Sequence, residues 1–75
     1  MRRAYILVTV EAGMEDPALE ALRGVEGVVE AHRVFGPFDI VARVEAETLE
    51  EVRGMVAYPI RRVEGIVSTL TLLCM

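Results

Sequence analysis

An α+β domain made of two β-α-β halves is the fold this sequence predicts, and three observations carry it. The first is a duplication. Leu22-Arg23-Gly24-Val25-Glu26-Gly27-Val28-Val29 returns as Ile60-Arg61-Arg62-Val63-Glu64-Gly65-Ile66-Val67, 38 residues further on. The second is its setting: each copy follows an amphipathic segment and leads into an apolar run, which is how a helix-to-strand junction reads. The third is the centre of the chain, where only Gly36-Pro37 parts two strand-like runs, so those runs are antiparallel neighbours. Two copies are too few for a solenoid, so the halves fold as one domain, residues 1–75.

The elements follow in order. Ala4 to Val10 is rich in β-formers and apolar at both parities, Ile6, Val8 and Val10 against Tyr5 and Leu7, which predicts a first strand covered on both sides. Glu11 to Glu15 is a loop. Asp16-Pro17 starts a helix, with Asp16 as cap and Pro17 at the first helical position. Ala18, Leu19, Ala21 and Leu22 form its buried face, and Gly24 ends it. Val28 to Phe35 is the second strand and Phe38 to Glu45 the third, with Phe38, Ile40, Ala42 and Val44 on one face of the latter. Thr48-Leu49-Glu50-Glu51 is a capping box opening a second helix. Its stripe is Leu49, Val52, Met55 and Val56, and Tyr58-Pro59 stops it. Ile66 to Leu73 is the last strand.

The order βαββαβ is the ferredoxin-like plan: right-handed crossovers give a four-stranded antiparallel sheet with both helices on one face. The other face has no helix to cover it. At 53% hydrophobic residues and a mean hydropathy of +0.41, the chain carries more apolar material than a domain of this size can hide. The expected solution is a dimer in which two sheets cover each other.

Composition narrows the function. With 12 acidic against 8 basic residues the net charge is −4, and the only local basic clusters are Arg2-Arg3 and Arg61-Arg62, so direct nucleic-acid binding is not expected. The longest uncharged apolar stretch, Gly65 to Met75, is too short to span a membrane, and the N-terminus does not read as a signal peptide. One cysteine, Cys74, cannot form an internal disulfide, which makes the cytoplasm the default compartment. All eight basic residues are Arg, and Asn and Gln are absent, a composition that suits a hot environment.

Few residues invite chemistry. His32 is the lone histidine, with no partners for a metal site, and reads as a surface or interface residue. No cofactor is implied, since no Gly-rich phosphate loop is present. Two features stand out. Gly36-Pro37-Phe38-Asp39 is either a plain hairpin turn or a tip whose backbone amides and carboxylate meet a small zwitterion. Ser68-Thr69-Leu70-Thr71 is either ordinary strand propensity or a row of hydroxyls lining a pocket between subunits. Thr69 and Thr71 share a face there, and Ser68 points the other way.

Gly36-Pro37-Phe38-Asp39-Ile40-Val41-Ala42-Arg43-Val44, then a helix, then Val63-Glu64-Gly65-Ile66-Val67-Ser68-Thr69-Leu70-Thr71-Leu72, resembles the effector-binding domain of the Lrp/AsnC transcriptional regulators, across nearly the whole chain. The resemblance implies a dimer through facing sheets, dimers assembled into rings such as octamers, and amino-acid effectors bound between dimers. It assigns ligand contact to Gly36, Pro37, Phe38 and Asp39 and to Ser68, Thr69 and Thr71. It departs from the family in one respect: a strand beginning at about Ala4 leaves no room for the regulators' helix-turn-helix. The expectation is therefore a stand-alone sensing domain that acts without touching DNA, alone or assembled with a full-length regulator. Two other readings remain open. One is an ACT-type regulatory module, whose ligand loop would be Glu11 to Glu15. The other is a small dimeric α+β barrel enzyme, for which His32 is the only handle.

Overall fold

The computed structural model describes all residues, Met1–Met75. The elements are β1 (Arg2–Val10), α1 (Glu15–Arg23), β2 (Val28–Arg33), β3 (Ile40–Ala46), α2 (Leu49–Met55), a π-helical turn (Val56–Ile60) and β4 (Ile66–Leu73). The sheet order is β2-β3-β1-β4, with every neighbouring pair antiparallel. This is the βαββαβ ferredoxin-like arrangement that the duplication predicts.

One face of the sheet makes the core. Ala4, Ile6, Val8 and Val10 of β1, Ala31 of β2, and Ile40, Ala42 and Val44 of β3 are buried against Ala18, Leu19 and Leu22 of α1, Val52 of α2, and Ile60. Strand alternation sends Tyr5, Leu7 and Thr9 to the opposite face, together with their cross-strand partners Arg43 and Val41 of β3 and Leu72, Leu70 and Ser68 of β4. That face has no helix over it. Within one chain the first strand is therefore covered on one side only, and Tyr5, Leu70 and Leu72 stand 40%, 47% and 49% exposed.

The duplication is structural as well as textual. Gly27 and Gly65, the matching glycines, both have positive φ, 97° and 95°. Each lends its carbonyl to the other half of the chain: Glu45 N–H donates to Gly27 O (2.9 Å) and Glu11 N–H to Gly65 O (2.8 Å). Each packs against a methionine of the other half. A Cβ at Gly27 would lie 2.5 Å from Met55 Cε, and one at Gly65 would lie 2.7 Å from Met14 Cβ. The equivalent residues Leu22 and Ile60 are both wholly buried. Two copies of one junction thus lock the halves together reciprocally.

Some local expectations are corrected. Asp16 is not the cap of α1. The helix begins two residues earlier than expected, after Met14, with no side-chain cap, and the Glu15 carboxylate instead accepts from Gly13 N–H (3.0 Å). Pro17 falls inside the first turn, where its missing N–H is still harmless. Helix α1 does end at Gly24, but in right-handed conformation, and the chain reverses at Gly27. Thr48 caps α2 as predicted, accepting from Glu51 N–H (3.1 Å), while the Glu51 carboxylate takes Glu47 N–H (2.8 Å), one residue before the cap. Tyr58-Pro59 does not stop the second helix. The backbone widens into the π-helical turn around Pro59, and this keeps Ile60 in the core. Arg62, lying over the Tyr58 ring at 4.7 Å and bonded to its hydroxyl, fastens the end of that turn.

The central hairpin differs most. Strand β2 ends at Arg33, not Phe35, and β3 begins at Ile40, not Phe38. Residues 34–39 form a wider loop than a Gly-Pro turn. Asp39 causes the widening: its N–H donates to Val8 O (2.9 Å) and its Oδ2 accepts from Val10 N–H (2.9 Å), so it is tied to β1 instead of pairing across the hairpin. Only its carbonyl closes the loop, accepting from Val34 N–H (3.0 Å).

Candidate functional site

The hairpin loop forms one wall of an open recess of about 480 Å³ at one end of the sheet. Gly36, Phe38 and Asp39, three of the residues singled out from the sequence, line it, with Val34 and Phe35 beside them. Glu15, from the start of α1, and Arg33, from the end of β2, complete it. Neither was legible as a site residue, since nothing in sequence links the first helix to this loop. The guanidinium of Arg33 is held 3.2 Å from Asp16 by an exposed ion pair. Pro37 is exposed at the tip and does not line the recess.

The recess offers both signs of hydrogen-bonding group. The N–H groups of Phe35, Gly36 and Phe38 enter no backbone hydrogen bond. Gly36, at φ 137°, sits in a conformation that side chains disfavour, and no atom beyond the adjacent residues lies within 4 Å of where its Cβ would stand. Asp39 is half-buried and uses Oδ2 on Val10 N–H. Phe35 is fully exposed, an apolar knob with no cover in the single chain.

The hydroxyls predicted on the last strand do not form one cluster. Thr9 pairs with Ser68, and Val8 pairs with both Ile40 and Thr69, so Asp39, Thr9 and Ser68 lie at the same end of the sheet. Ser68 is two strands from Asp39, roughly 10 Å at ordinary strand spacing. Thr69 shares the helix-facing side with Val8. Thr71 pairs with Ile6, farther from the hairpin, and lines a different groove against α2.

On the open face, charged side chains flank the apolar stripe. Arg43 bonds Glu30 (2.7 Å) and Glu45 (2.6 Å), Arg3 lies 3.5 Å from Glu45, and His32 Nε2 lies 2.8 Å from Glu30. Hydrogen bonds from His32 and then Arg43 hold the Glu30 carboxyl below the usual carboxylate range, and Glu30 in turn pushes Arg43 up. A carboxylate with a depressed folded pKa contributes stability that is fully present above its unfolded pKa and lost as pH falls through the folded value. Acid titration is therefore expected to destabilise the wild type more than Glu30→Gln, the two melting curves converging below the folded pKa of Glu30. Thermal melts from neutral to strongly acidic pH check this.

Residues 3–75 match the sequence model described as the Lrp/AsnC ligand binding domain. The chain belongs to the Lrp/AsnC family. It is 35% identical over 72 residues, 92% of its length, to an uncharacterised helix-turn-helix-type transcriptional regulator of Pyrococcus furiosus, of which the match covers 48%. The chain thus spans about half the length of that curated relative. Among solved structures, the protein TTHA0845 of Thermus thermophilus superposes with a TM-score of 0.95 at 32% identity, covering 100% of this chain and 94% of that one. Escherichia coli AsnC gives 0.92 at 23% identity, over 99% of this chain and half (50%) of AsnC. A transcriptional regulator of Neisseria meningitidis, solved as a complex with L-Met, shares the fold at a TM-score of 0.88 and 12% identity, over 99% of this chain and 49% of its own. The chain is a regulatory, effector-binding domain of the Lrp/AsnC family. None of its helices is long and apolar enough to cross a membrane.

Proposed function

We propose that this domain senses an amino acid at the hairpin end of its sheet, in an oligomer built by pairing of the open sheet faces. One observation carries the reading: Asp39, half-buried, lines one recess with Phe35, Gly36 and Phe38, whose amides have no backbone partner. A zwitterion needs that combination. Its ammonium is matched by the free Oδ1 of Asp39 and by Glu15, and its carboxylate by the amides of Phe35, Gly36 and Phe38 and by Arg33. Val34, Phe35 and Phe38 supply apolar surface to choose among side chains. The Neisseria regulator, of the same fold, was solved with an amino acid, which favours this ligand class.

The open face supplies the second half of the reading. Tyr5, Leu7, Val41, Leu70 and Leu72 form an apolar stripe across β3, β1 and β4, bordered by the Arg43 ion-pair network. A second copy is the natural cover, since a twofold pairing of two such faces is self-complementary. Ser68 and Thr9 lie at the hairpin end of this face and would meet the neighbouring copy there. Further association of dimers into rings belongs to the same proposal. Sensing then works by linkage: an amino acid that binds one assembly state better shifts the population toward it.

Thermal-shift screening against the standard amino acids, with light scattering on the same samples, tests the proposal. At a hundred times its Kd, a true effector adds about 2.7 kcal/mol of stability. Failure of every amino acid to raise the melting temperature contradicts the reading. Asp39→Asn sharpens the test. The amide oxygen still accepts from Val10 N–H, so the fold stays intact, but the charge facing the ammonium is gone. Effector affinity is expected to fall at least tenfold with the apo melting temperature nearly unchanged, as calorimetric titration beside a melt would read.

A further inference from the structure

We infer that the groove between α2 and β4 is a second binding site, for a small apolar carboxylate that carries no amine. Strand β4 is an edge, paired only with β1, and α2 packs over β3 and β1 instead. The gap left beside the edge strand has a volume of about 360 Å³, within the range of small-molecule pockets. Leu49, Val52 and Val56 from the helical side and Leu73 from the strand make it apolar. Its polar groups are the Thr71 hydroxyl and two guanidiniums, Arg53 and Arg61, and no carboxylate lines it.

The duplication shows what is unusual here. Arg61 stands 38 positions after Arg23, the same place in the repeated junction. In the first half Arg23 is committed: its Nε and Nη2 donate to the Ala31 carbonyl of edge strand β2, at 3.1 and 2.8 Å, and tie helix to strand. In the second half Arg61 makes no such bond and has no acidic side chain within ion-pair distance. Arg53 has only Glu50, 3.7 Å away between two largely exposed side chains, a pair worth little. Where one half closes the gap between helix and edge strand, the other leaves it open with an uncommitted planar cation beside it. An Arg fork takes a carboxylate in two parallel hydrogen bonds. With no acid in the lining, nothing rewards an ammonium, and the apolar walls disfavour one. The hairpin recess, with Glu15 and Asp39 beside Arg33, has the opposite selectivity. Thr71, one of the hydroxyls that the sequence singles out on the last strand, lines this groove.

Leucine and 4-methylpentanoate separate the two chemistries, because they share a carbon skeleton and a carboxylate and differ by one amine. Methyl-labelled protein is titrated with each and followed by two-dimensional NMR. The expected result is saturable movement of the Leu49, Val52, Val56 and Leu73 methyls with 4-methylpentanoate, at least tenfold weaker with leucine. Arg61→Gln weakens it at least tenfold, and Asp39→Asn leaves it unchanged, so the groove is tested apart from the hairpin reading. No saturable movement of these methyls, equal response to leucine, or unchanged binding by Arg61→Gln overturns the inference. So does a groove occupied by a second copy, seen as methyl shifts that follow protein concentration without ligand.

Discussion

Truncating Leu22 or Ile60 to alanine is expected to remove about 2–5 kcal/mol of folding stability in each case. Both side chains are wholly buried, and both stand at the same position of the duplicated junction, one closing each half of the core. The buried core has 13 residues, so each of these two is a large part of it. A chain of 75 residues has roughly 4–11 kcal/mol in total at ordinary stability per residue. Either change therefore leaves a domain that is marginal at room temperature, and the double variant is expected not to fold. Urea melts at fixed protein concentration read the effect, the concentration being held because association adds stability of its own. The two single losses should be similar. Ile60 approaches through the π-helical turn instead of an α-helical end, so a much smaller loss at Ile60 would mean that the turn relaxes to fill the gap.

Leu70→Asp is expected to abolish pairing of the open faces while leaving the folded chain intact. Leu70 sits mid-strand on β4, directly across from Leu7, and is 47% exposed in the single chain, so an aspartate there is hydrated and harmless to the monomer. In a face-to-face dimer the same carboxylate is taken from water in both copies, with no basic residue among its strand neighbours Thr69 and Thr71 or its partner Leu7 to receive it. Burying an unpaired charge costs several kcal/mol, and the twofold applies it twice. Association is expected to weaken by about a hundredfold or more, with an unchanged far-UV spectrum. Retained association in Leu70→Asp would place the interface elsewhere.

The strength of the sequence signal tracked how local its physical cause was. The duplicated Val-Glu-Gly needed only short-range pattern to be read as two equivalent turns, and Gly27 and Gly65 adopt the same backbone conformation. The Thr48 cap was legible for the same reason, because cap and acceptor lie three residues apart. The hairpin was not, because Asp39 answers to Val8 and Val10, about thirty residues earlier, and a bond of that reach opens a loop that Gly36-Pro37 alone would have closed tightly. Pro59 misled because proline ordinarily ends a helix, whereas here the burial of Ile60 wins and the backbone widens around the ring. At the candidate recess, Gly36, Phe38 and Asp39 could be grouped from sequence because they are close neighbours on one loop. Glu15 and Arg33 were invisible because only the packing of α1 beside the end of β2 brings them in. Where Thr71 lies relative to the hairpin was not legible, because a strand's alternation gives the face of a residue but not its distance along the sheet from a loop, and Thr71 pairs with Ile6.

The most direct test of the whole account is the solution mass of the wild-type chain at micromolar concentration, by sedimentation equilibrium. One chain is 8.3 kDa. Cover of the open face by a second copy predicts twice that mass or a higher even multiple, falling to a single chain in Leu70→Asp. A wild-type species that stays at 8.3 kDa, folded and soluble, would contradict it.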